Sequence, residues 1–176
     1  MNRRYFIKSG ATLGAAALLF KMPLVSALAQ KRSTSGNSST PPFTKIVRSD
    51  EEWRSLLTPE QYRVARQKGT ETPYSSPLNK NYAKGAYECV CCALPLFSSK
   101  AKYDSHTGWP SFWQPISKQN VREQAETATG DTRTEVVCGR CDAHLGHVFD
   151  DGPDPTGLRY CMNGVALKFV KSVKRA

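Results

Sequence analysis

Residues 138–163 read CGRCDAHLGHVFDDGPDPTGLRYCMN, and the rest of the chain is best understood outward from them. This stretch holds a C-x-x-C pair, Cys138 and Cys141, two of the three histidines of the chain, and an isolated Cys161 between Arg159 and Asn163. A second pair, Cys89 and Cys92, lies upstream with the same two-residue gap. A two-residue gap lets a tight turn aim both sulfurs at one point, and two such turns close a tetrahedral four-cysteine zinc site. That spacing favours one metal ion per chain over disulfides, although an oxidising compartment would encourage the latter. Four thiolates leave no open coordination position, so such a zinc would be structural. Cys91, inside the first knuckle, is surplus: it could exchange as a ligand, pack as a small apolar residue, or act as a second redox thiol.

Beyond Tyr82 the chain alternates short β-prone runs with Gly, Pro and Asp turns. These runs are 87–89, 134–138, 147–149 and 158–170, with a weak turn expected near 120–124. Two capped helices precede them. Ser49 with Glu52, and Thr58 with Gln61 and Pro59 at the first helical position, are capping-box patterns, and Gly69 is a natural stop. The expected fold is mainly β, an antiparallel sheet domain over residues 45–172 behind short N-terminal helices.

Within 158–170 a period of two places Arg159, Cys161 and Asn163 on one face, followed by Val165, Leu167 and Phe169. A guanidinium beside Cys161 would favour the nucleophilic thiolate. A buried, inert cysteine is the competing reading.

Residues 1–29 have a basic start, an apolar run of about ten residues, short of the ~20 that span a bilayer, and small residues at Ala27 and Ala29. This is the pattern of an export signal rather than a stable membrane anchor. Arg3-Arg4-Tyr5-Phe6-Ile7-Lys8 resembles the twin-arginine type, which implies export of a folded, metal-loaded protein to the periplasm. Residues 30–44 read as a flexible Ser/Thr/Pro-rich linker and 173–176 as a basic tail. Of the formal charge of +10, Arg3, Arg4, Lys8 and Lys21 fall in the export signal. The remaining basic residues form no stripe with interleaved aromatics, so no nucleic-acid partner is expected.

Three segments, GWPSF at 108–112, CGRCDAHLGHVF at 138–149 and RYCMN at 159–163, resemble methionine-R-sulfoxide reductases of the MsrB type. The similarity runs from about Ser49 to Val170. It implies two antiparallel sheets with a structural zinc on the two C-x-x-C pairs. Cys161 matches the catalytic cysteine, which attacks the sulfoxide sulfur and becomes a sulfenic acid. His144 and His147 match the histidines that bind and protonate the substrate oxygen, Asp151 and Arg159 a supporting charged pair, and Asn163 a polar neighbour. Trp109 and Phe149 match the apolar cage around the substrate methyl group. The implied partners are oxidised methionine, free or in exported proteins, and a thioredoxin-like or other thiol reductant; a monomer is expected. Thr107 occupies the position where many members carry a resolving cysteine, which favours direct reduction of Cys161 by an external thiol. A non-catalytic zinc-ribbon binding module is the alternative.

Overall fold

The computed structural model describes residues 42–128 and 131–172. The expected export signal, most of the expected linker and the expected basic tail lie outside the described residues. Two short helices, α1 (Asp50–Leu56) and α2 (Pro59–Ala65), open the domain, each started by the capping box expected of it. Ser49 accepts from the Glu52 N–H while Glu52 reaches back to the Ser49 N–H, and Thr58 and Gln61 do the same. Helix α2 ends before Gly69. Lys68 takes the left-handed conformation, at φ 57°, and the Gly69 N–H closes onto the Arg63 carbonyl at 3.0 Å.

Among the described residues nine strands follow: β1 (Gly85–Cys89), β2 (Pro95–Ser98), β3 (Lys102–Tyr103), β4 (Ser111–Phe112), β5 (Val121–Ala128), β6 (Asp131–Cys138), β7 (His144–Phe149), β8 (Arg159–Met162) and β9 (Leu167–Lys171). They form two antiparallel sheets, ordered β2-β1-β9 and β3-β4-β8-β7-β6-β5. Buried aromatics join the sheets. Phe97 stacks on Phe112 with centroids 4.5 Å apart, Tyr87 meets Phe112 edge-on at 5.0 Å, and Phe97 reaches Tyr160 at 5.7 Å. Such pairs add directional stabilisation to the burial of large apolar area.

Two sequence expectations are corrected. The turn expected near 120–124 ends at Asn120, whose N–H closes onto Ser117 at 3.0 Å; residues 121–124 belong to strand β5, because β6 offers them an unbroken ladder from Val121–Cys138 to Ala128–Asp131. Residues 158–170 are not one strand. Strand β8 ends at Met162, and Gly164–Ala166 forms a 3-10 turn before β9 enters the other sheet. The buried Glu71 carboxylate causes the break. It accepts the Gly164 and Val165 N–H groups at 2.7 and 2.8 Å, removing both from any ladder. Arg159 and Cys161 still share a face, but Val165, Leu167 and Phe169 do not continue it.

The β7–β8 pairing is tight at one point. A Cβ on Gly146 would collide with the Cys161 carbonyl oxygen and lie 3.0 Å from the Met162 Cα. These are backbone atoms that cannot step aside without breaking the ladder. Gly146→Ala should therefore destabilise the domain by at least about 2 kcal/mol in urea unfolding and lower activity with it. An unchanged midpoint would contradict this packing.

Candidate active site and metal centre

The two C-x-x-C segments form knuckles of matching geometry. Cys89 and Cys138 each end a strand, and Ala93 and Asp142, just past the second cysteines, both adopt left-handed φ values of 57° and 56°. The Cys89 N–H donates to Leu94 and the Cys138 N–H to Ala143, both at 2.9 Å. Ala93 and Asp142 close back onto the Cys89 and Cys138 carbonyls at 2.8 and 3.0 Å. The four sulfurs lie within 4.8 Å of one another, with Cys89–Cys141 at 3.7 Å and Cys92–Cys138 at 3.5 Å. A tetrahedral zinc with sulfurs at ~2.3 Å requires sulfur–sulfur edges of about 3.8 Å. The donor set fits that ion, and all six cysteines are free of disulfides. Cys91 is half-buried and packs against the hydrophobic core. Arg66, at the end of α2, lies over the Trp53 ring and donates to the Cys141 carbonyl at 2.9 Å, so the helices brace the second knuckle.

From that knuckle, β7 leads directly into a cleft of about 130 Å³ lined by Trp109, Gly146, His147, Phe149, Cys161 and Asn163, with Thr70 and Arg133. Cross-strand register puts the chemistry in one row. Gln124 on β5 pairs with Glu135 on β6, which pairs with His147 on β7, then Cys161 on β8 and Ser111 on β4. Directly paired residues in an antiparallel sheet project to the same face. Thr107 stands 3.8 Å from the Cys161 sulfur by its hydroxyl and bonds Ser105, which in turn bonds Ser111.

Burial raises the Cys161 thiol above its ordinary range, outweighing the opposite pull of Thr107, Arg159 and Ser111. Arg159 does favour the thiolate, as expected, but desolvation outweighs it in the free protein. Arg159 is held in place by two 2.8 Å bonds to Asp151 and lies 4.3 Å over the Phe149 ring. Those bonds keep the Asp151 carboxyl below the usual carboxylate range.

Of the residues expected from sequence, Cys161, His147, Trp109, Phe149 and Asn163 line the cleft. Asp151 stands at the surface, reaching the site only through Arg159. The Asn163 amide is spent on backbone, accepting from Glu71 at 2.9 Å and donating to Leu145 at 3.2 Å. His144 is 2% exposed, outside the cleft lining, and bonded through Nδ1 to Glu135 at 2.8 Å. Sequence reasoning missed Glu71, Glu126, Glu135 and Lys68. The alternation of Gln124 with Glu126 and of Arg133 with Glu135 was the one available cue, and it reads equally as a solvated strand face.

A β domain with a closed four-thiol site and a separate cysteine in a cleft is a thiol oxidoreductase architecture, and residues 57–171 match the SelR domain. Curated relatives include peptide methionine sulfoxide reductase MsrB of Hahella chejuensis, 54% identical over 125 residues, covering 71% of this chain and 90% of that protein. MsrB of Pseudomonas fluorescens is 57% identical over 126 residues (72% and 97%), and that of Methanosarcina mazei 56% over 127 residues (72% and 91%). The chain belongs to the SelR-domain, MsrB-type methionine sulfoxide reductases, and is an oxidoreductase.

Two outcomes test this geometry. Cys138→Ser should abolish stoichiometric metal binding and cooperative unfolding, whereas Cys91→Ser should leave metal content unchanged, both read by elemental analysis and thermal melts. Iodoacetamide labelling of Cys161, followed on its own peptide by mass spectrometry, should still be accelerating above about pH 8.5, the ordinary thiol midpoint. Arg159→Ala should push that acceleration to higher pH; a plateau well below neutrality would contradict the desolvated thiol.

Proposed function

We propose that the protein reduces methionine-R-sulfoxide, free or within proteins, to methionine. The observation that carries this reading is the placement of Cys161 directly opposite His147 in a cleft walled by Trp109 and Phe149. The aromatic walls suit a thioether methyl group, and an imidazole beside a thiol suits a reaction in which oxygen leaves sulfur. The Cys161 sulfur, as thiolate, attacks the sulfoxide sulfur while the sulfoxide oxygen takes up a proton from His147. That oxygen then passes to Cys161, giving Cys161 sulfenic acid and releasing methionine with its lone pair restored. Two external thiols complete the cycle: one displaces the hydroxyl as water to form a mixed disulfide, and the second regenerates the Cys161 thiol. Arg159, fixed beside Cys161 by its two bonds to Asp151, would stabilise the thiolate as it forms.

Direct reduction fits the chain. Thr107, not a cysteine, faces Cys161, and Cys91 is absent from the cleft lining and packed among the metal ligands and core. We further propose that zinc occupies the four-thiol site as a structural ion, held by Cys89, Cys92, Cys138 and Cys141. Export to the periplasm by a twin-arginine signal and action as a monomer on oxidised exported proteins complete the reading. Export rests on the N-terminal sequence.

Separate R and S epimers of a methionine sulfoxide, given with a thiol reductant, provide the test. Turnover of R alone, abolished in Cys161→Ser, is expected. Equal turnover of both epimers, or activity surviving Cys161→Ser, would overturn the reading. After one turnover without reductant, mass spectrometry should find Cys161 as sulfenic acid or its trapped adduct; a Cys91–Cys161 disulfide would defeat the one-cysteine cycle.

A further inference from the structure

Behind the two histidines stand two carboxylates and a lysine that the reaction as written does not use. Glu135 is 1% exposed, yet it is fully engaged. It takes His144 Nδ1 at 2.8 Å on one oxygen, and the Lys68 ammonium and Gln124 amide, both at 2.7 Å, on the other. Burial works to raise its carboxyl, but these three bonds prevail and hold it at about 2. Glu126 on β5 pairs with His147 Nε2 at 2.9 Å, and Lys68 lies 3.7 Å from its other oxygen. Lys68 thus bridges both carboxylates from the left-handed turn that follows α2.

Lys68 and Arg133 both face Glu126, at 3.7 and 3.8 Å, so two cations stand against the two carboxylates. Burial separates the two rings. His144 lies away from water, and desolvation depresses its charged form more than Glu135 restores it. Its Nδ1–H must donate to the ionised Glu135, which fixes the tautomer and leaves Nε2 carrying a lone pair; that nitrogen has no protein partner. His147 lines the cleft, with the His144 ring 5.5 Å away edge-on. Its Nε2–H points to Glu126, so Nδ1 is the nitrogen left for substrate.

We propose that Glu126 and Glu135, bridged by Lys68, are positioning residues that fix the two histidines in different orientations: His147 with Nε2 on Glu126 and Nδ1 turned to the departing oxygen, His144 with Nδ1 on Glu135 and outside the cleft lining. The arrangement generalises the carboxylate–imidazole pairing by which a buried acid fixes the orientation and tautomer of a catalytic histidine. It rests on the reaction proposed above, in which His147 supplies the proton.

The test uses the full-length, metal-loaded protein. Glu126→Gln should lower kcat on the R epimer by about tenfold to a hundredfold while KM moves by less than about twofold. Glu126→Asp, which keeps the charge, should recover part of the loss. A merely structural role would lower the melting temperature and raise KM without that recovery. A second readout needs no turnover: proton NMR of the wild type should show two downfield imidazole N–H signals. The His147 signal should vanish in Glu126→Gln and the His144 signal in Glu135→Gln. If the wild type fails to reduce the R epimer, the reaction assigned to the site falls while the NMR result still decides the pairing. Unchanged kcat in Glu126→Gln, or both imidazole signals persisting in that variant, would overturn the proposal. Should Glu135→Gln fail to fold, Glu126→Gln at the cleft edge decides alone.

Discussion

The register of the six-stranded sheet is the constraint on which the site depends. Gln124, Glu135, His147, Cys161 and Ser111 lie in one row across five strands, so an odd-residue slip at any ladder would turn its members to the opposite face. The second knuckle fixes that register, because its turn joins β6 to β7. Cys141 is three residues before His144, and the knuckle's own bonds define where β7 starts. A metal closing the four thiols would join that turn to the end of β1 in the other sheet. The structural ion would therefore set the position of His147 without touching the chemistry. Gly146 completes the alignment by allowing the β8 backbone to come close enough for Cys161 to meet His147.

Electrostatics in the cleft is divided between a thiol held neutral and a set of charges held ionised. Desolvation keeps Cys161 protonated in the free protein despite the nearby Arg159, while Glu135 remains charged on three donors and Glu126 is held below the usual carboxylate range chiefly by His147. This division is physically economical. A permanently exposed thiolate would be open to indiscriminate oxidation. Arg159, held by Asp151, opposes the desolvation of Cys161 without overcoming it. Phe149 contributes twice, as a cleft wall and as the surface on which Arg159 rests.

Much of this was legible in the sequence where local chemistry dictates local structure. Capping boxes at Ser49 and Thr58 need only residues three apart, and a C-x-x-C knuckle needs only one tight turn. Cys161 stood out as the cysteine outside the two metal pairs, with Arg159 on its face by the period of two, whereas Trp109, His147 and Phe149 were legible only through the motifs that resemble the MsrB type. What was not legible required partners distant in sequence. Within 158–170 the dipeptide Asn163-Gly164 is itself a turn signal, but the Glu71 carboxylate, over ninety residues away, is what holds the chain in that break. Glu135 has a solvated residue's sequence context. It is buried because Lys68, His144 and Gln124 arrive from three other segments. Pairwise neutralisation of a buried charge is a tertiary property, and alternation along one strand carries no trace of it.

The division of 158–170 also places the site where the chain leaves the larger sheet. Asn163 is the last residue before the chain leaves the larger sheet, and its side chain holds both Glu71 and Leu145 by their backbones. Glu71 returns the contact through Gly164 and Val165, and its carbonyl accepts the Trp109 indole N–H at 3.2 Å. A single loop residue therefore fixes the cleft's aromatic wall, ends the strand that carries Cys161, and starts the turn into β9. Because the bonds run in a closed circuit from Glu71 to Asn163 and back, no one of these positions can shift without the others. Its polar atoms already committed, Asn163 serves the cleft chiefly by keeping Trp109 and Cys161 at a fixed separation. The polar residue that sequence places nearest the thiol is, in this fold, part of the frame.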